Sequence, residues 1–503
     1  MKKFFLLLPL LFPLLFVYLF KGQQAGVNVL IFNVIIIVIL VWSGRLQRTN
    51  RLQLLLAAGA MVSSLAVLLY GSVMAMSGNV FSLVLLTGLL ASTETRLLVN
   101  GFAASAFAAV SAPFNYLLSL NAFTGQRAGG RKLMRFVLIF LIPVIILMVF
   151  ISIYASASPY FNKLTGGLLE HLADFMTYLS EFIDPSAFWL FVAGLLIIVA
   201  FLFGGAWKML VFFNEGEGMN LIRKKKSFSG RFTTLRYEYR SGVVLLIMLN
   251  LVLAVMNVLD IWNVWLFFEW NGDYLKQFVH EGTWMLIFSI LISIAIVLYY
   301  FRANLNFYPK RKLLLNLAVL WLAQNALLVI SVGIRNMWYI HHFNLAYKRI
   351  GVYAFLLLTL FGIVTVFFKI RQRKTHQYLF HYNGLATYTI LICLGLFNWD
   401  KLIAAYNVNH ASRAFFHPEF MIRLNSTSLP ELEASLKDLD KIQVEQTAKF
   451  EFYRNYMPLD DYRERVGERI NDFKLGYPQM SWQGWNLAEY QAYRELIRPK
   501  PAE

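Results

Sequence analysis

Leu313-Leu314-Leu315-Asn316-Leu317-Ala318-Val319-Leu320-Trp321-Leu322-Ala323-Gln324-Asn325-Ala326-Leu327-Leu328-Val329-Ile330-Ser331-Val332 is a run without a single charge. As a helix it rises 1.5 Å per residue and covers the ~30 Å hydrocarbon core of a bilayer. Lys310-Arg311-Lys312 precedes it and Arg335 follows it. The run is not alone. Similar stretches occupy residues 4–20, 25–42, 52–70, 80–91, 136–154, 187–206, 241–259, 283–300, 350–368 and 378–396. That predicts eleven spans, of which 80–91 is the shortest. Residues 97–120 are also apolar but rich in small side chains. They read as an interfacial or re-entrant helix, because a single crossing there breaks the alternation of the loops. Lys2 and Lys3 precede the first stretch, yet Lys21-Gly22-Gln23-Gln24 offers no small-residue cleavage site, so that stretch reads as an uncleaved anchor.

Composition agrees. Of 503 residues, 58% are hydrophobic and 15% charged, against about 25% charged in soluble domains. Mean hydropathy is +0.56. Too few polar side chains exist to cover a water-facing surface, which excludes a soluble enzyme and a disordered chain. The single cysteine, Cys393, excludes an intrachain disulfide.

The net charge of +18 is concentrated. Residues 398–503 hold 14 basic and 16 acidic side chains, so the excess lies entirely upstream. A basic chain of this class points to lipid rather than nucleic acid. Lysines and arginines gather in loops on the cytoplasmic side and meet anionic lipid there. Connections at 122–135, 207–240, 301–312 and 369–376 are basic, whereas 155–186 and 260–282 hold one lysine each and several acids. The expected topology has a cytoplasmic N-terminus and an extracytoplasmic tail. Three regions follow: 1–120, N-terminal transmembrane hairpins and a possible re-entrant helix; 121–397, the main transmembrane bundle; and 398–503, a helical tail. The fold class is all-α, a polytopic transmembrane bundle with a small helical C-terminal appendage.

In the tail, Ser428-Leu429-Pro430-Glu431 has a capping-box pattern, with Leu432, Leu436 and Leu439 at helical spacing after it. Tyr462, Val466, Ile470 and Phe473 mark a second helix. Asn486-Leu487-Ala488-Glu489 starts a third.

No Asp or Glu falls within the core of a predicted span. Such carboxylates commonly mark proton and ion-coupling pathways. Gly125-Gln126-Arg127-Ala128-Gly129-Gly130-Arg131-Lys132 fails as a phosphate loop, because Arg131 and Lys132 stand where lysine and a hydroxyl are needed. No catalytic residue, metal site or cofactor is assigned. Asn250 and Asn257 share one helix face, and Gln324 and Asn325 lie in the run that opens this section. The bland reading is hydrogen bonding between helices; the functional one is a polar cavity. A second candidate is an outer-face site of His280, Glu281, Arg335 and Arg349. Two arginines there oppose the orientation rule, so they are expected to pair with outer acids such as Asp260, Glu269 or Glu281, or with an anionic head group. His341-His342 is a weak metal signal.

Tyr339-Ile340-His341-His342-Phe343-Asn344-Leu345-Ala346-Tyr347-Lys348-Arg349 resembles a Tyr-Ile-x-Ala-Tyr-Gly-Leu-Thr-x-x-Arg signature. That signature is associated with uncharacterised bacterial polytopic membrane proteins, domain of unknown function four-one-seven-three and its relative four-one-five-three. The stretch 398–407 and Val279-His280-Glu281-Gly282-Thr283-Trp284 look similar to segments of the same proteins. The resemblance implies a membrane fold and location but no reaction. The chain departs from the signature at His342, Phe343, Asn344 and Ala346, where the pattern has alanine, tyrosine, glycine and threonine, and the loss of the glycine counts against a special backbone turn there. The leading expectation is a non-enzymatic scaffold, sensor or assembly partner. The alternatives are a transporter or lipid translocator, and a membrane transferase acting on a lipid-linked substrate.

Overall fold

The structure is a computed structural model. It describes residues 3–92, 95–124, 147, 151, 184–205, 218–223, 231–268, 272–302, 304–450 and 457–498; side chains at 3–4, 121–124, 231–234 and 272–283 are outside the description. The chain is all-α, with no strand among the described residues. It is a multi-pass membrane protein.

The helices are α1 (Leu8–Phe20), α2 (Val27–Trp42), α3 (Arg51–Tyr70), α4 (Val73–Ala91), α5 (Leu98–Thr124), α6 (Pro185–Phe203), α7 (Arg231–Asp260), α8 (Gly272–Tyr300), α9 (Arg311–Phe343), α10 (Tyr347–Gln372), α11 (His376–Gly395) and α12 (Trp399–Asn409). The tail adds α13 (Pro418–Ile422), α14 (Leu429–Ser435), α15 (Leu439–Lys449), α16 (Leu459–Gly476) and α17 (Leu487–Ile497).

Among the described residues, seven helices are long and apolar enough to cross a membrane, or eight if α11 and α12, bent by 66°, count as one span. The expected count of eleven extends beyond the described residues. Apolar helices at Leu8–Phe20 and Val27–Trp42 are shorter than a full crossing, and α8 is apolar over Trp284–Tyr300. The predicted span 136–154 and the glycine-rich run 125–132 lie outside the described residues, apart from residues 147 and 151. The stretch expected at 80–91 is a full helix from Val73. Ser72 caps its start by accepting from the Ala75 N–H at 3.2 Å. Ser77-Gly78-Asn79 does not break it, because the Asn79 amide finds partners inside the bundle.

Two apolar cores result. One gathers α1 to α6 around Phe12, Phe32, Leu56, Leu86 and Ile198. The other gathers α7 to α10 around Leu246, Ile290, Trp321 and Val332. Helix α11 packs on α3, α4 and α5 on one side and on α10 on the other. Glycine decides how close it comes. A Cβ at Gly59 would fall within the Tyr388 hydroxyl, and one at Gly395 would stand 2.9 Å from the Ala75 backbone.

The tail forms a third core (Phe416, Met421, Leu432, Tyr462, Val466) that includes Phe343, Leu345, Tyr347 and Ile350 from the α9–α10 turn. It also reaches the first core. The Val27 N–H donates to the Trp485 carbonyl at 3.0 Å, and Asn486 stands against Gly71. The tail therefore covers one end of both half-bundles.

Tail helix α16 follows the predicted spacing, with Tyr462, Val466 and Ile470 buried. Asn486 caps α17, accepting from the Glu489 N–H at 2.9 Å while its amide donates to Glu489 Oε2 at 2.9 Å. The box at Ser428 does not form. Its Oγ donates back to the Asn425 carbonyl at 2.6 Å, and Glu431 faces Lys401 instead. The helix expected to run through Leu436 breaks there, in a tight turn closed by Leu436 N–H to Glu433 and Lys437 N–H to Ala434.

Candidate functional site

The end of α9 nearest the tail carries the most chemistry. Asp260 closes α7 and is followed by a π-helical turn, Ile261–Leu266. That turn shifts the register by one residue per turn relative to an α-helix and brings Trp265 and the Val264 carbonyl against α9. Arg335 forms an ion pair with Asp260, and the two side chains are 4% and 5% exposed. Ser331 Oγ donates to Asp260 Oδ2 at 2.6 Å, and Trp265 Nε1 donates to Ser331 Oγ at 3.2 Å. Trp338 Nε1 donates to the Val264 carbonyl at 3.0 Å and stacks on Phe268 at 4.8 Å. Burying two charges costs several kcal/mol each unless they are paired and further bonded, and this arrangement supplies both.

Arg349 has a different partner. It donates to the Phe343 carbonyl at 2.7 Å and to the Asn344 carbonyl, and lies over the Tyr339 ring at 4.4 Å. These carbonyls end α9, where the helix dipole leaves partial negative charge. Asn344 has φ +66° and ψ −177°, a region occupied almost only by glycine. Its amide donates to the Phe415 carbonyl at 3.1 Å. Asn407 clips the next residue, accepting from the Leu345 N–H at 2.8 Å and donating to its carbonyl at 3.0 Å. The signature stretch is thus a hairpin turn docked on the tail.

His280 and Glu281 lie in α8, and their side chains are outside the description. The rings of His341 and His342 are 4.9 Å apart, edge to face. No group of three metal-ligating side chains exists among the described residues.

Three of the four amides lie at the α7–α9 contact. Gln324 Nε2 donates to Asn250 Oδ1 at 2.7 Å. Asn250 donates to the Leu246 and Leu317 carbonyls, and Asn257 to the Gln324 carbonyl at 3.2 Å. Asn325 turns back on its own helix, to the Trp321 carbonyl at 2.7 Å. All four are buried. They join helices, or in the case of Asn325 bond within one.

Sequence reasoning missed two groups. In the first half-bundle, Asn33 and Asn79 exchange hydrogen bonds of 3.2 and 3.1 Å across α2 and α4, and Asn79 also donates to Ala60 and Ser63 on α3. The Tyr388 hydroxyl bonds Ser82 at 2.9 Å. The signal was an amide, Asn33, in the middle of the apolar helix α2. The second group is cationic. Arg45 donates to the Phe201 and Gly204 carbonyls at the end of α6. Lys369, 4% exposed, donates to the Phe301 carbonyl just past α8 at 3.3 Å. In the tail, Arg469 does the same for Ile422 and Leu424 after α13. Where acids are scarce, helix ends stand in for them.

In comparisons with known proteins, no curated protein and no solved structure matches the chain. Residues 34–435, most of its length, match one of the two related families named above, described as Domain of unknown function (DUF4153), and the chain belongs to that family.

Proposed function

We propose that this chain is a non-enzymatic scaffold or assembly partner of the bacterial inner membrane. Its N-terminus is cytoplasmic and its tail extracytoplasmic, the opposite, basic end meeting anionic lipid. One observation carries the reading: several of the buried polar side chains inside the spans bond to neighbouring helices. Asn33 with Asn79, Asn250 with Gln324 and Asp260 with Arg335 are ties between helices rather than a lining for a passing solute. The orientation is supported by where the connections lie. The turns at residues 21–26, 71–72 and 344–346 meet the tail, while Arg45, Lys369 and Arg373 hold the opposite end. Helix α5, though long and apolar enough over Leu98–Leu120 to cross, reads as interfacial at that end. Its Ala108, Ser111, Asn115 and Tyr116 touch Gly204, Gly205, Phe203 and Leu6, all at the end away from the tail.

The test is complementation of a deletion strain with Asn250→Leu combined with Gln324→Leu. Scaffolding survives this change at normal protein level. Loss of complementation by a folded, membrane-inserted variant gives the site to transport.

A further inference from the structure

An apolar groove of about 540 Å³ runs along α4, on the wall of the first half-bundle. Ala25, Gly71 and Ser72 form its mouth, and Val73, Met76, Val80, Val84 and Phe102 line its length. From Val73 to Val84 it descends about 16 Å at 1.5 Å per residue, half of the ~30 Å hydrocarbon core and so the depth of one leaflet. The two hydroxyls in its wall are already bonded to the α4 backbone: Ser77 donates to the Val73 carbonyl at 2.8 Å, and Ser72 accepts from Ala75. Apart from these two hydroxyls the lining side chains are apolar, which suits hydrocarbon.

The mouth lies directly beneath the tail. A Cβ at Gly26, next to Ala25, would collide with the Trp485 carbonyl, and Gly71 meets the Asn486 side chain. Outward from there stand Trp485, then Tyr490 with its ring 6.0 Å away, then Arg494 with its guanidinium 5.8 Å from the Tyr490 ring. Tryptophan, tyrosine and arginine in this order match the head-group layer of a bilayer.

We propose that this groove and the Trp485–Tyr490–Arg494 edge form a site for one phospholipid of the tail-side leaflet. An acyl chain lies along α4, and an anionic head group meets Arg494. The binding joins the tail to the first half-bundle through a lipid as well as through direct contacts.

The test is native mass spectrometry of the full chain, delipidated in detergent and titrated with phosphatidylglycerol or phosphatidylethanolamine. The wild type is expected to hold one lipid. Val80→Trp, at a wall position 47% exposed, fills the groove and weakens retention about tenfold, the equivalent of ~1.4 kcal/mol of lost contact. Val258→Trp, on the exposed face of α7, retains the lipid. Arg494→Ala weakens phosphatidylglycerol more than phosphatidylethanolamine. Equal retention by Val80→Trp and Val258→Trp, or no retained lipid in the wild type, overturns the site. An unchanged lipid preference in Arg494→Ala overturns the head-group contact.

Discussion

The two half-bundles bury polar groups in different ways. In the first, α1 to α6, the buried groups that join helices are mostly neutral, and helices approach closely through glycine: Asn33 with Asn79, Ser82 with Tyr388 beside Gly59, and Gly88 against the Gly101 carbonyl. In the second, α7 to α10, an ion pair and long amides bridge helices whose interface holds larger side chains such as Trp321 and Leu322. Amides reach across in both halves, Gln53 to the Leu89 carbonyl in the first and Asn257 to the Gln324 carbonyl in the second, but the second adds the buried Asp260–Arg335 pair. The difference teaches where each half is fragile. The first fails when volume is added, the second when a charge loses its partner.

The largest effect belongs to the second half. Arg335→Ala leaves Asp260 buried without its cation, and removing one member of a buried pair costs about 3–5 kcal/mol. Thermal unfolding in detergent should show this as a large loss, mostly recovered when Asp260→Asn is added. A mild single variant would mean that the pair reaches water, and the contrast between the halves would break.

In the first half, Gly88→Ala places a methyl group on the Gly101 carbonyl, and Gly59→Ala places one on the Tyr388 hydroxyl. Overpacking typically costs about 1–3 kcal/mol. The two should separate on rescue. Tyr388→Leu relieves Gly59→Ala, because a side chain is in the way. No side-chain change relieves Gly88→Ala, because backbone is. Unfolding of the single and double variants reads both.

A smaller effect is expected at the α9–α10 turn. Asn344→Gly relieves a strained backbone worth about 1–3 kcal/mol and gives up one hydrogen bond worth about 1 kcal/mol. It should be neutral to stabilising, whereas Asn344→Ala keeps the strain, loses the bond and destabilises. Gain of stability by both variants would show that φ at this position is not imposed by the fold.

The smallest effect concerns pH. Burial raises the Glu489 carboxyl above its ordinary value. A raised acid favours the folded tail while protonated. That contribution is full below the ordinary carboxylate range and is lost as pH rises through the raised value. Glu489→Gln should therefore flatten the decline of tail stability with rising pH, read by hydrogen exchange in α17. An unchanged profile would place the titration elsewhere.

Much of this was legible in the sequence. Uncharged runs marked the long helices, since hydrocarbon tolerates little else. Arg335 betrayed the need for an anion because a cation on the acidic side needs one, and Asp260 was one of the three acids expected to supply it, beside an anionic head group. The seven-residue spacing of Asn250 and Asn257 put both on the α9 contact. What was not legible depends on distant backbone. A helix end that receives Lys369 or Arg45 has no side-chain signature. Asn33 and Asn79 become a pair only once α2 and α4 lie side by side. Asn344 shows the converse: the absence of the signature's glycine counted against a special turn, yet the asparagine adopts one, with the Phe415 carbonyl as its support.

The central claim is that the polar groups inside the spans hold helices together and do no other work. Asp260→Asn combined with Arg335→Gln tests it most directly, with unfolding in detergent and complementation of a deletion strain measured on the same variant. A folded, inserted protein that restores growth is the predicted result. A protein equally well folded that fails to restore it would contradict the claim and give this pair a role in chemistry or transport.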